Sequence, residues 1–132
     1  MKKNCFFFLT VCVALLVSGC AIENNHLVPG DFPDYLRRSG VKVDAVRPWP
    51  RPDILKADSA CAVKVGESDI VVFKYDISSK VQQERVNHIK QTRKVFVSGL
   101  PFYAYVHGSF VFLGLEKSKY KHEIIKAIKK FQ

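Results

Sequence analysis

The sequence predicts an α+β domain, an antiparallel sheet with helices packed on one face, built from two strand-turn-strand-helix units. Three observations carry that reading. Apolar runs flank two tight turns, at Gly66-Glu67-Ser68-Asp69 and at His107-Gly108. Each pair of runs is followed by a serine and a helical pattern, Ser78 to about Lys90 and Ser118 to Phe131. Laying Val65 on Val106 also lays Ser68 on Ser109, an offset of 41 residues, so the halves share a plan. Hairpins that are each followed by one helix fit an antiparallel sheet better than parallel crossover units.

The elements follow in order. Asp31-Phe32-Pro33-Asp34 places a capping acid and an early proline ahead of Tyr35-Leu36-Arg37-Arg38, with Gly40 as the stop, which predicts one short helix. Val41-Lys42-Val43-Asp44-Ala45 alternates apolar and polar residues, the period-two pattern of a half-buried strand. In Arg47-Pro48-Trp49-Pro50-Arg51-Pro52 three prolines at every second position remove three ladder donors, so this stretch is excluded from a central strand. It reads as a stiff connector that lays Trp49 over the core. Strands are expected at Ala62–Val65, Ile70–Tyr75, Phe102–Val106 and Phe110–Leu115. In the last helix Tyr120, Ile124, Ile128 and Phe131 fall on one stripe, widened by Ile125 and Ala127. Ile70-Val71-Val72-Phe73 and Phe110-Val111-Phe112-Leu113 are apolar on both faces, so something must cover the second side of the sheet.

The chain divides before residue 20. Met1-Lys2-Lys3 is basic, Cys5 to Val17 is an uncharged run of thirteen apolar or near-apolar residues, and Ser18-Gly19-Cys20 closes it. Those are the parts of a secretory signal peptide. Val17-Ser18-Gly19-Cys20 resembles the lipobox of bacterial lipoproteins. That resemblance implies cleavage before Cys20, a diacylglycerol thioether on its sulfur and acylation of the new amine. It divides the chain into a signal peptide (1–19), a lipidated tether (20–30) and one α+β domain (31–132). An uncleaved membrane span is the alternative, but a span needs ~20 predominantly apolar residues and this run is shorter. Either way the domain lies outside the inner membrane. Two or more acyl chains anchor stably, and Ala21 after the cysteine favours, by the same resemblance, the outer membrane facing the periplasm.

The 132 residues carry 21 Lys and Arg against 12 Asp and Glu, and 48% are apolar, a globular composition. Loss of Lys2 and Lys3 with the leader leaves 19 basic side chains against 12 acidic ones, so the domain stays basic. Export argues against nucleic acid as the counter-charge. Anionic headgroups or an anionic envelope polymer remain, with Lys126, Lys129 and Lys130 as the contacting residues. Cys5 and Cys12 leave with the leader and Cys20 is acylated, so Cys61 has no disulfide partner and sits in an apolar run that predicts a buried, inert thiol. No metal, cofactor or nucleophile pattern is present in the sequence, and a small envelope enzyme would have to use Cys61 or His107. Non-catalytic binding is the expected work. Its partner is an envelope protein or a second copy, docked on the apolar sheet face with Tyr103 and Tyr105 as binding residues.

A second, shorter likeness lies in the domain itself. Leu100-Pro101-Phe102-Tyr103 and Val106-His107-Gly108-Ser109-Phe110-Val111-Phe112-Leu113-Gly114 resemble a pattern of small bacterial lipoproteins of unassigned function, without the histidine of its first strand. Val71-Val72-Phe73-Lys74-Tyr75 resembles the central strand of the same group.

Overall fold

The computed structural model describes residues 22–132. The leader and the lipobox with Cys20 lie outside the described residues. Three helices and six strands follow in the order α1 (Phe32–Arg38), β1 (Ala45–Pro48), β2 (Ser59–Val65), β3 (Ser68–Lys74), α2 (Lys80–Thr92), β4 (Lys94–Val97), β5 (Leu100–His107), β6 (Phe110–Leu113) and α3 (Lys121–Lys130). The strands form one antiparallel sheet in the order β1-β2-β3-β6-β5-β4. This is the α+β antiparallel sheet that the hairpins predicted, with the strand-turn-strand-helix sequence twice, as β2-β3-α2 and β5-β6-α3.

The helices, however, divide between the two faces instead of sharing one. Phe32 and Leu36 of α1 and Ile124, Ala127 and Ile128 of α3 pack with Val63, Val65, Ile70, Val72, Phe110 and Phe112 on the first face. Val86 and Ile89 of α2 pack with Phe73, Tyr75, Val95 and Val111 on the second, where Trp49, Leu55 and Val106 join them. The cause is the strand composition: β3 and β6 are apolar on both sides, and each side needs its own cover. The offset of 41 residues therefore does not describe a structural repeat, because Val65 belongs to the first core and Val106 to the second.

Local boundaries move for identifiable reasons. The strand expected at 41–45 begins only at Ala45 and runs through Arg47-Pro48. Proline is tolerated there because β1 is an edge, pairing only with β2. The two-residue loop between β5 and β6 is Gly108-Ser109, with His107 still paired to Phe110. Ahead of α1, the Asp31 carboxylate accepts the Val28 N–H at 3.0 Å. An aromatic cluster closes the first core: Phe131 lies 4.6 Å from Phe110 and 5.3 Å from Phe32 between ring centroids, and Tyr35 stands edge-on to Phe131 at 4.9 Å.

The segment read as a tether is part of the fold from Asn24 onward. Asn24 is fully buried and Pro29 is buried. The Asn24 side-chain amide donates to the carbonyls of His107 and Phe131, each at 3.0 Å, and its oxygen accepts the Ser109 N–H at 2.8 Å. Beside it the buried Lys74 ammonium donates to the Asn25 carbonyl at 2.8 Å, to the Asn25 side-chain oxygen at 3.1 Å and to Ser109 Oγ, 4.7 Å from the centre of the Phe110 ring. Polar side chains suggested solvation, but a polar segment can instead be drawn inside where buried backbone groups lack partners. Gly108 makes room for it. Its φ is +59°, and a Cβ there would collide with the Asn24 side chain.

Asn24→Ala leaves the buried Ser109 N–H without its acceptor, and such an orphan costs about 1–3 kcal/mol. Urea unfolding should show a loss of at least that size, and Gly108→Ala should cost a comparable amount because it evicts the same side chain from a left-handed position.

Candidate functional site

Coverage of the sheet is uneven. On the first face α1 and α3 lie over β2, β3 and β6, and the outer strands β5 and β4 carry no helix there. The β4–β5 hairpin turns at Ser98-Gly99, with φ values of 52° and 79°. Positive φ at both turn residues is the two-residue turn whose twist suits a hairpin. Around it Phe96 is 65% exposed, Leu100 62%, Tyr103 62% and Phe102 45%. Four large apolar side chains are thus exposed on one hairpin, Phe96 and Tyr103 on one side of the ladder and Leu100 and Phe102 on the other, and exposed apolar surface of this kind marks an interaction site.

Residues alternate across the ladder. The paired residues Lys94 and Tyr103, and Phe96 and Pro101, point to the first face, and Val95 with Phe102 and Val97 with Leu100 to the second. Tyr105 shares its side with Tyr103 and packs against the first core. The two tyrosines that the sequence singled out thus line one groove, of about 830 Å³. Phe112, Leu115 and Ile125 line its α3 side, and Lys90, Arg93 and Lys94 its outer side. Lys94 sits 5.7 Å from the Tyr103 ring centre. Of the charged groups across the groove, Lys121 is already paired with Glu116 at 3.0 Å. Lys90, Arg93 and Lys94 form no ion pair among the described residues. Arg93 closes α2 in the left-handed region, φ 58°, and its carbonyl accepts the Ala104 N–H at 2.9 Å.

Sequence reasoning ended the second strand pair at Phe102 and had no β4, so it missed Phe96 and Leu100. The signal was present in Ser98-Gly99 between two apolar runs. Lys126, Lys129 and Lys130 are exposed on α3 and do not line the groove. Lys129 and Lys130 form its last turn, beside Phe131, whose carbonyl is held by Asn24.

Cys61 and His107 are not brought together. They stand on β2 and β5, three strand spacings or about 14 Å apart across the sheet. The Cys61 thiol is buried, donates to the Pro29 carbonyl at 3.4 Å, and is pushed up to about 11 by burial. His107 is held below the usual imidazole range by burial and then by Lys90, and its Nε2 has no hydrogen-bond partner among the described residues. Among those residues no three His, Cys, Asp or Glu side chains gather where they could hold a metal ion. No helix among them is long and apolar enough to cross a membrane.

No protein family, curated protein or solved structure matches the chain.

Burial raises the Cys61 thiol above its ordinary value of 9.0, so its stabilising contribution is complete below pH 9 and is lost as pH rises through about 11. Chemical unfolding at pH 8 and pH 11 should therefore show an alkaline loss that is smaller in Cys61→Ala. The native thiol should label with a thiol reagent at neutral pH far more slowly than the unfolded chain.

Proposed function

We propose that this chain is a lipid-anchored cell-envelope lipoprotein whose domain is a non-catalytic docking module, binding another envelope component through the β4–β5 hairpin and the Tyr103-Tyr105 groove. One observation carries the docking half of this reading: four large apolar side chains, Phe96, Leu100, Phe102 and Tyr103, stand exposed on a single hairpin beside cations that form no ion pair among the described residues. Such a surface costs solubility unless it is covered in use.

The lipobox supplies the anchor, and the burial of Asn24 supplies its geometry. Three residues lie between Cys20 and Asn24, four Cα steps with a reach of at most ~14 Å. A chain acylated at Cys20 therefore holds the Asn24 end of the domain against the headgroups. β5 runs from the hairpin tip at Leu100 to His107, whose carbonyl is bonded to Asn24, a length of about 23 Å. The apolar hairpin is then carried at the end remote from the bilayer, where a partner from the periplasm reaches it. Lys129 and Lys130 lie at the near end, beside the Phe131 carbonyl that Asn24 holds, and there they add attraction to anionic headgroups.

Two measurements test the reading. Intact-mass analysis of protein from membranes should give a chain that begins at residue 20 and carries diacylglycerol and acyl groups, and a chain that begins at Met1 with a free Cys20 thiol refutes the anchor. A photo-crosslinking side chain placed at Phe102 or Tyr103 in cells should capture one discrete partner, and the same side chain at the exposed Val81 of α2 should not. Equal capture at the three positions refutes the docking surface.

A further inference from the structure

The two edges of the sheet are built differently. β1 ends in Pro48, is followed by Pro50 and Pro52, and has Arg47 paired with Asp69 at 3.0 Å. Proline and charge blunt an edge against further strands. β4, at the other edge, contains no proline, carries one charged side chain, Lys94, and pairs with no further strand among the described residues.

The register shows which of its backbone groups face outward. Arg93 accepts from Ala104 across the ladder, and hydrogen-bonded and non-hydrogen-bonded pairs alternate in an antiparallel sheet. Val95 with Phe102 and Val97 with Leu100 are therefore the bonded pairs, the latter closing the two-residue turn. The amide and carbonyl groups of Lys94 and Phe96 point outward, and the Thr92 hydroxyl bridges those of Lys94, 3.2 Å from its carbonyl oxygen and 3.5 Å from its nitrogen. Both side chains lie on the first face, where Lys94 lines the tyrosine groove.

We infer that β4 accepts an extended acidic and apolar segment of another protein as a seventh, antiparallel strand. Main-chain bonds to Phe96, and to Lys94 in place of the Thr92 hydroxyl, supply the pairing, and alternate side chains supply the choice of partner. Antiparallel addition sets the order: an apolar residue opposite Phe96, then any residue, then Asp or Glu opposite Lys94. Further acids downstream meet Arg93 and Lys90. Charge decides against a second copy as the occupant. It would bring another unpaired trio of Lys90, Arg93 and Lys94 and, in β4 itself, no carboxylate. This inference rests on the docking surface proposed above and names its partner, but it does not depend on the lipid anchor.

The probe is a phage-displayed library of random ten-residue peptides, panned on the full-length chain in detergent micelles. Enriched peptides should share the order apolar, any residue, Asp or Glu. Synthetic copies should bind at least tenfold more weakly to Lys94→Glu and to Phe96→Pro, and within twofold of the parent to the double variant Lys129→Ala, Lys130→Ala. Phe96→Pro removes an outward N–H and no bond within the sheet. If circular dichroism shows that it does not fold, the surface variant Lys94→Glu decides alone. No enrichment, a consensus without acids, or binding unchanged in Lys94→Glu overturns the inference. So does a dimer in sedimentation that Phe96→Pro abolishes, which would make a second copy the occupant. Failure here together with discrete crosslinking at Phe102 or Tyr103 removes the acidic strand and leaves the docking surface; absence of both removes the two together.

Discussion

The Asn24 side chain ties together parts of the chain that are far apart in sequence. It joins the N-terminal segment to the β5–β6 turn and to the end of α3, and the neighbouring Lys74 ammonium joins that segment to β3. Asn24, Lys74 and Ser109 are buried and Asn25 and His107 half-buried, so the buried groups would carry an unmet desolvation cost if the others moved. Burial also holds the Lys74 ammonium below its usual range, the expected direction for a cation drawn out of water, opposed by Asp76 and Asp58. Its hydrogen bonds and the Phe110 ring offset that cost. The clasp orients the domain, since it determines which end of the sheet the N-terminal segment leaves from and hence which end is free.

Two apolar layers grow from that frame. β3 and β6 sit at the centre of the sheet, apolar on both faces, and are covered by α1 and α3 on one side and by α2 with the Trp49 connector on the other. Helix cover runs out toward β4. There the sheet has exposed apolar side chains, an edge strand without proline and three cations that form no ion pair among the described residues, all within one hairpin and the groove beside it. At the opposite edge β1 is blunted by Pro48 and the prolines that follow it, whereas β4 carries one lysine and no proline. That difference between the edges gives the docking reading its physical content.

Much of the domain was legible in local pattern. The Gly66 turn, the helices after the two hairpins and the stripe of Ile124, Ala127 and Ile128 depend on neighbours in sequence, and they stand as read, whereas the period-two strand at 41–45 begins only at Ala45 and the residues ahead of α2 and α3 are Ser79 and Tyr120 in place of Ser78 and Ser118. Tyr103 and Tyr105 were found because their strand was. β4 was missed because a four-residue strand directly after a helix leaves too few residues for its alternation to stand out. The role of Asn24 was illegible for another reason. Its partners lie 83 to 107 residues away, and nothing in Glu23-Asn24-Asn25 distinguishes a buried clasp from a solvated tether.

The sequence by itself determined the class of the domain, its basic charge, its turns and the amphipathic helix, because each is a matter of composition or of spacing within one element. It also carries Val17-Ser18-Gly19-Cys20, whose resemblance to a lipobox is a matter of four adjacent residues. Only the tertiary structure decided on which face each helix lies, that the segment at Asn24 is interior, and that Phe96, Leu100, Phe102 and Tyr103 share one exposed hairpin with a cationic groove. Those are outcomes of long-range packing, in which buried polar groups and two-sided strands choose among arrangements that the local pattern leaves equal.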